Sequence, residues 1–482
     1  MRKALSIFFS LLVLNLLCGT LSAEERIAIL SVNDMHAAIE KMPRLKFIAD
    51  SLRNIYPNLL VLSAGDNRTG NPMNDQYPIP SYPMTELMNY VGFDASALGN
   101  HEFDANMDGL KQTLSYSHFP YLSANVELPD SLRDRLQGYK IFTMGDGVRV
   151  GVLGLIQINQ SGIPDTHPKN VQGIKFRPVK ETIEAHRFLR KECDVVILLT
   201  HVGYDDDQIL AEEFSDFADI IVGGHSHTKL NGGVNRKGVI ITQVENKLQQ
   251  ATLTVIDLKD KKIAEKNAKL IDISSSSSDK ATEELVKYFS NNEELDKSIG
   301  ILTDSIKDLE TMGCFMGQTW INETKADFAL VNYGSVRIEE LPAGDIRLSD
   351  ILRLDPFGNE AMIMELTGEE LKRLILSCHF MDEKRFPFVV GVKYESEVSR
   401  FHPDDINYLT LKDLNGKKLN MKKTYRVVTS SYVVSICKFG HKKAAVNTGI
   451  KCSDMMIENI QRAKTITFPE TKNVTIKIDP YK

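Results

Sequence analysis

Leu98-Gly-Asn-His-Glu-Phe-Asp104 follows directly on a short apolar run, Ala95 to Leu98. It sets Asn100, His101 and Asp104 within one turn of each other. The asparagine offers a neutral oxygen to a metal ion. The imidazole can donate a proton or hold an oxyanion, and Asp104 can accept from its second nitrogen and fix the tautomer. Gly99 lets the backbone approach closely. Taken alone, the stretch also reads as a helix N-terminus capped by asparagine. What decides between these readings is whether other strand ends carry further metal-binding side chains.

Four others do. Ile27 to Val32 is an apolar run ending in Asn33-Asp-Met-His36, where Asp34 and His36 share one side of an extended chain. Asn58 to Ser63 ends in Ala64-Gly-Asp66. Asp194 to Leu199, the most hydrophobic strand of the chain, ends in Thr200-His201. Asp219 to Val222 leads into Gly223-Gly-His-Ser-His227. A turn aspartate or surface histidine at one strand end is an ordinary accident; the same pattern at five ends is not. In open α/β sheets, sites form beyond the carboxyl ends of the strands. A donor set of Asp, His and Asn without thiolate suits two divalent ions such as Zn²⁺, Mn²⁺, Fe²⁺ or Mg²⁺, and not a structural Cys-zinc site.

The bulk properties frame this site. A chain of 482 residues exceeds one ordinary core, so two domains are expected. Hydrophobic and charged contents of 42% and 25% are those of a globular protein. Residues 1–23 read as a secretory signal: Arg2 and Lys3, an apolar stretch from Ala4 to Leu17, then Leu21-Ser-Ala23. Cys18 raises the alternative of a lipid anchor, against which Leu17 is bulkier than such sites usually allow. No later segment is apolar and long enough to span a bilayer. Losing Arg2 and Lys3 takes the formal net charge from −6 to −8, and no Lys/Arg-rich run offsets it. A surface for nucleic acid polymers is therefore not expected. The five cysteines beyond the signal are odd in number and lack a C-x-x-C pair, which excludes a disulfide framework or zinc ribbon. Cys193, before an apolar strand, is expected in the core.

Helices are expected over 42–54, 83–91 and 179–191, and a loop over 67–80. A hairpin is expected from 140–142 and 148–156 around Gly145-Asp-Gly147. The serine tract 274–278 reads as a flexible break. After it, 281–299 reads as a long charged helix joining two domains and acting as a hinge.

The ordered blocks Asp34-Met-His36, Gly65-Asp66, Gly99-Asn-His-Glu102, Thr200-His201 and Gly224-His-Ser-His227 resemble the calcineurin-like metallophosphoesterases. With Asn33 and Leu122-Ser-Ala-Asn125 added, they look like the secreted 5′-nucleotidase and UDP-sugar hydrolase branch. The resemblance covers nearly all of residues 26–475. It implies an α/β fold: a four-layer α/β/β/α metallophosphoesterase sandwich over 24–273, a joining segment over 274–300, and a second α/β substrate-binding domain over 301–482. It implies that Asp34, His36, Asp66 and His227 hold one metal ion. Asp66, Asn100, His201 and His225 would hold another, with Asp66 bridging. His101 would stabilise the transition state or protonate the leaving oxygen, with Asp104 orienting it.

In the second half the resemblance implies substrate contacts from Asn332 and Arg337, the latter at the phosphate. Phe357 either stacks on a base or is a core aromatic beside the turn at Pro356. Two departures stand out. Ser435-Ile-Cys-Lys-Phe-Gly440 replaces the family's Gly-Gly-Asp-Gly-aromatic loop, leaving Phe439 as the second ring. Asp308 to Gly313 stands where a phosphate-binding arginine is expected, a reversal of charge. The expected function is phosphoester hydrolysis in the periplasm or outside the cell, first of all of nucleoside monophosphates. Hydrolysis of 2′,3′-cyclic nucleotides or UDP-sugars is the alternative, and a catalytically weak nucleotide-binding protein is a third reading.

Overall fold

The structure is a computed structural model that describes residues 25–130, 132–145, 147–382, 385–399 and 406–479. The signal at 1–23 with Cys18, and the hairpin's Asp146, lie outside the described residues.

The first half is built on two sheets packed face to face. One has seven strands, in the order Lys262–Asp272, Gln250–Lys259, Glu25–Val32, Leu59–Ser63, Ala95–Ala97, Tyr121–Leu122, Leu136–Gln137. The other has six, in the order Val234–Arg236, Val239–Thr242, Ile220–Val222, Val195–His201, Arg149–Ile156, Tyr139–Thr143. Side-chain alternation explains the layering. In Glu25–Val32, Ile27 and Ile29 pack between the sheets with Leu60, Val150, Ile197 and Val222. The intervening Ala28 and Leu30 face helices, against Leu45, Ile48 and Leu87. In Val195–His201, Ile197 and Leu199 face the other sheet, while Val196 and Leu198 meet Ile183, Leu210 and Phe214 of a second helical layer. Strands covered on both faces favour apolar residues at nearly every position, which is why they read as nearly continuous apolar runs. The result is the expected α/β/β/α sandwich. Its central strands, Glu25–Val32, Leu59–Ser63 and Ala95–Ala97 in one sheet and Arg149–Ile156, Val195–His201 and Ile220–Val222 in the other, run parallel within each sheet.

The second half has a five-stranded sheet ordered Phe388–Val390, Phe328–Val331, Thr424–Ser430, Glu360–Thr367, Val446–Lys451. Helices Leu309–Thr324 and Cys452–Ala463 cover one face and Gly368–Met381 the other. Thr367 starts the last of these with a capping box to Glu370.

Three expectations need correction. The helix over 179–191 is two short helices, Val179–Ala185 and Leu189–Glu192. The loop over 67–80 contains a turn of helix, Pro72–Asp75, capped by Asn71. The long joining helix is shorter and is not a free hinge. It spans Lys280–Phe289, capped by Asp279, and Ser298–Leu302 is a strand. Ser290-Asn-Asn292 ends it, because these side chains compete for backbone hydrogen bonds and favour turns. Phe289 is 5% exposed and sits in the first core, its ring 5.7 Å from Tyr77 and 6.1 Å from Tyr82. The serine tract is tied down as well, since Arg44 donates to the carbonyls of Ser274 and Ser276.

Truncating a docked aromatic leaves a cavity, whereas truncating one on a free linker does not. Phe289→Ala is expected to destabilise the first domain by about 3–5 kcal/mol, read from its denaturant unfolding curve. An unchanged midpoint would mean the helix is an undocked linker.

Candidate active site

The strand ends bring all seven predicted metal-binding side chains to one place. Asp34, His36 and His227 form one group, and Asp66, His201 and His225 a second, with donor atoms within 4.8 Å of one another inside each group. His36, Asp66 and His101 form a third group that joins them. Asn100 completes the second, its Oδ1 lying 3.2 Å from His201 Nε2 and 3.1 Å from His225 Nδ1.

Reaching this arrangement strains the backbone. Asp34, His36, Asp66, His225 and His227 all have φ between 44° and 78°, the left-handed region that a side chain disfavours. Each strand ends, and the chain turns sharply to aim its side chain inward. Two glycines make room. A Cβ on Gly99 would lie 2.2 Å from Asp66 Oδ1, and one on Gly224 would lie 2.8 Å from the Ala64 carbonyl oxygen.

The chemistry of the donors fits a divalent metal ion. His36 Nδ1 faces the Thr69 carbonyl at 3.0 Å and His201 Nδ1 faces that of Ala64 at 2.6 Å. A carbonyl only accepts, so each Nδ1 carries a proton and each ring turns Nε2 toward the cluster. His201 Nε2 lies 3.1 Å from Asp66 Oδ2 and 3.2 Å from Asn100 Oδ1. Burial opposes a charged ring, but Asp66 and Asp34 outweigh it and push the His201 pKa up to about 10, so Nε2 holds a proton where a metal ion would take its place. His36 Nε2 and His227 Nε2 stand 3.2 Å apart, and Asn246 Nδ2 donates to His227 Nδ1 at 3.0 Å, which puts the His227 proton on Nε2. Oxygen and imidazole donors gathered this closely suit a divalent cation. A positive group already points there: Arg337 Nη2 lies 3.2 Å from His36 Nε2. Burial and the neighbouring Arg337 keep His36 well below the usual histidine range, so it stays neutral. Burial would raise the Asp66 carboxyl, but the charged His201 and His101 outweigh it and hold it well below the usual range.

His101 stands beside this cluster. Its Nδ1 lies 2.7 Å from Asp104 Oδ2, and its Nε2 lies 3.8 Å from Asp66 Oδ2. Burial opposes a charged ring, but Asp66 and Asp104 outweigh it and raise the pKa, so the ring favours holding a proton.

Residues of both domains wall a cavity of about 250 Å³ next to these groups. Of the predicted substrate contacts, Asn332, Arg337 and Phe357 line it. The Phe357 ring lies 5.8 Å from that of His101 and nearly parallel to it, at 21°. Asn332 is buried and bonded to Ser335 and Asp382, which ties it to its own domain. Phe439 is not in the wall; it packs on the apolar cluster around Leu374 and against the His441 ring. Helix Ser431–Ile436 carries the chain past the cavity first, so the aromatic residue in the wall is Tyr432. Asp308 is not in the wall either. It caps helix Leu309–Thr324 and pairs with Lys472, so the apparent charge reversal does not reach the cavity.

Other side chains were missed at the sequence level. Glu102, fully buried, accepts from the backbone N–H groups of Asp66, Asn67 and Gly99 at 3.0, 2.8 and 2.6 Å, and so ties two ligand loops together. Asp165 accepts from Asn100 Nδ2 at its carbonyl (3.1 Å) and faces His225 Nε2 with its carboxylate (3.5 Å). Asn359 and Asp382 also line the cavity. The position of Glu102 inside the Asn-His-Glu block was a usable signal; the other three lie in loops or helix ends without one.

Comparison with known proteins agrees with this geometry. Residues 27–229 match the calcineurin-like phosphoesterase family model, and residues 290–438 match that of the 5′-nucleotidase C-terminal domain. A 5′-nucleotidase-related protein of Glossina morsitans morsitans is 30% identical over 78% of this chain and 76% of its own length. A 5′-nucleotidase of Vibrio cholerae is 26% identical over 86% of this chain and 87% of its own. The crystal structure of a 5′-nucleotidase precursor from Thermus thermophilus shares the fold, with a TM-score of 0.82, 21% identity, and coverage of 94% of this chain and all of that one. The chain belongs to the 5′-nucleotidase family of calcineurin-like phosphoesterases and is a metal-dependent phosphoester hydrolase.

Proposed function

We propose that the protein is an exported 5′-nucleotidase that releases phosphate from nucleoside monophosphates. The observation that carries this reading is a cavity in which a proton-holding His101–Asp104 pair, a ring of cation-seeking donors, one arginine and two aromatic rings meet. Two divalent ions would sit here, one held by Asp34, His36, Asp66 and His227, the other by Asp66, Asn100, His201 and His225. When bound, such ions neutralise phosphate oxygens and acidify water. The rest is done by this chain's own residues. Arg337 holds the phosphate oxygens by charge-assisted hydrogen bonds. His101, fixed at Nδ1 by Asp104, offers the Nε2 proton to the leaving oxygen. Phe357 and Tyr432 hold the base. Closing the second domain over the first excludes water and aligns the ester for in-line attack, which phosphoryl transfer chiefly requires.

Residues 1–23 support export to the periplasm or the exterior, and among the described residues no helix is long and apolar enough to cross a membrane. The changed loop 435–440 keeps a second reading alive, in which the ester is a 2′,3′-cyclic nucleotide or a UDP-sugar. The intact His101–Asp104 pair argues against a binding-only protein. Turnover of AMP, UDP-glucose and an aryl phosphodiester with added Mn²⁺ or Zn²⁺ separates these readings, and preference for AMP is expected.

Three variants test the roles. His101→Ala should keep its metal content while kcat falls by about 10²–10⁴-fold; an undiminished kcat removes His101 from the chemistry. Asp66→Asn should lose metal and activity together, and two ions per chain by metal analysis would refute the bridging role. Tyr432→Ala should raise KM for AMP by about tenfold, the scale of one base–aromatic stack. It should leave KM for a small phosphate ester without a base unchanged; equal effects on both would place Tyr432 outside base binding.

A further inference from the structure

Lys247 lies outside the cavity wall, yet it touches both domains at the points that matter most. Its backbone N–H donates to the carbonyl of Asp34, 2.8 Å away, and its own carbonyl accepts from Lys41 Nζ at 2.8 Å. Its Nζ crosses the domain boundary and donates to the carbonyl of Arg337 at 3.0 Å. The far end of that arginine reaches His36, whose ring nitrogens lie 3.3 and 3.2 Å from Nη2. The Arg337 N–H donates to the Leu354 carbonyl at 3.1 Å, so its peptide is held from within its own domain too.

Lys247 and Leu248 hold φ of 54° and 50°, a strained turn that brings the lysine back over Asp34 and marks the contact as built. The hydrogen-bond acceptor that its Nζ reaches from there is the Arg337 carbonyl.

We propose that Lys247 is a positioning residue for Arg337: an interdomain latch that fixes the peptide from which the guanidinium projects and joins it to the Asp34 loop. It does not touch substrate. It sets where the phosphate-holding charge stands relative to the metal-binding side chains, and it forms when the second domain closes on the first. The inference rests on reading Arg337 as the phosphate contact.

The test is a double-mutant cycle on the metal-loaded full chain, with AMP turnover and competitive inhibition by inorganic phosphate as readouts. Lys247→Met keeps the stem and the backbone cost and removes the donor. It should raise KM and the phosphate inhibition constant about tenfold, the scale of one lost hydrogen bond from a charged group, with kcat changed far less. Lys247→Arg, which keeps a donor, should restore most of the loss. In an Arg337→Ala background, Lys247→Met should add little. If Arg337→Ala alone changes neither KM nor phosphate inhibition, the phosphate reading of that arginine is wrong. If it changes both and the Lys247→Met effect multiplies with it undiminished, the latch is wrong. Metal content and the unfolding midpoint of each variant identify a loss that is merely one of folding, and Lys247→Arg then decides: parent-like values support the latch, and a KM raised as far as in an unlatched enzyme overturns it.

Discussion

The crowding of buried carboxylates and imidazoles at one point is the constraint on which the rest of this molecule turns. Around Asp66 the His201 nitrogen and the Asn100 oxygen converge, and His201 holds a proton against the carboxylate. His36 and His227 are crowded together in the same way. Left to itself, a chain would swing these groups apart into water. Here it cannot, because each sits at the end of a strand that is buried on both faces, or within five residues beyond it. The left-handed turns at five of these residues cost of order 1–3 kcal/mol each, and that strain is held by the two-sheet core and by buried polar ties. Glu102 binds three backbone amides of the ligand loops, and Asn33 links Asp34 to Val244. The stability of the sandwich is thus spent on an arrangement that is unfavourable until a cation arrives.

The two domains contribute different things to the cavity. The first supplies the donors and the proton-holding His101. The second supplies Arg337, Phe357 and Tyr432, none of which does chemistry alone. They interleave: Phe357 lies flat on His101, and the Arg337 guanidinium sits 5.8 Å over the Phe357 ring. In the proposed reading, reaction type is therefore fixed on one side of the cavity and choice of ester on the other, where Tyr432 and not the loop 435–440 stands in the wall.

The strand ends were legible because burial on both faces leaves a mostly apolar run, and the close-set polar residues that follow it mark where the strand gives out. Ile27 to Val32 and the run before Thr200 announce themselves in this way. The joining helix was misread for the opposite reason. Charged residues continue past Phe289, and nothing local says that Phe289 and Leu285 dock while the following residues turn away. Phe439 and Tyr432 show the same limit: both are aromatic and close in sequence, and only the packing of helix Ser431–Ile436 decides which one faces the cavity. Asp308 carried a charge that looked meaningful but serves as a helix cap. Asp165 and Lys247 make contacts through backbone carbonyls, which leave no trace in a pattern of side chains, whereas Glu102 stands inside a block that could be read.

The shortness of the junction between the domains has a consequence for how they stay together. The chain crosses from one domain to the other once, between Phe289 and Ser298. Because the helix before it is docked, and the carbonyls of Leu295 and Lys297 accept from the N–H groups of Ser349 and Leu348, the untied part is brief. A tether of that length keeps the second domain at an effective concentration of the order of millimolar near the first. The interface itself can then be weak and still hold the cavity together. That suits a phosphoester hydrolase, which has two products to release each cycle.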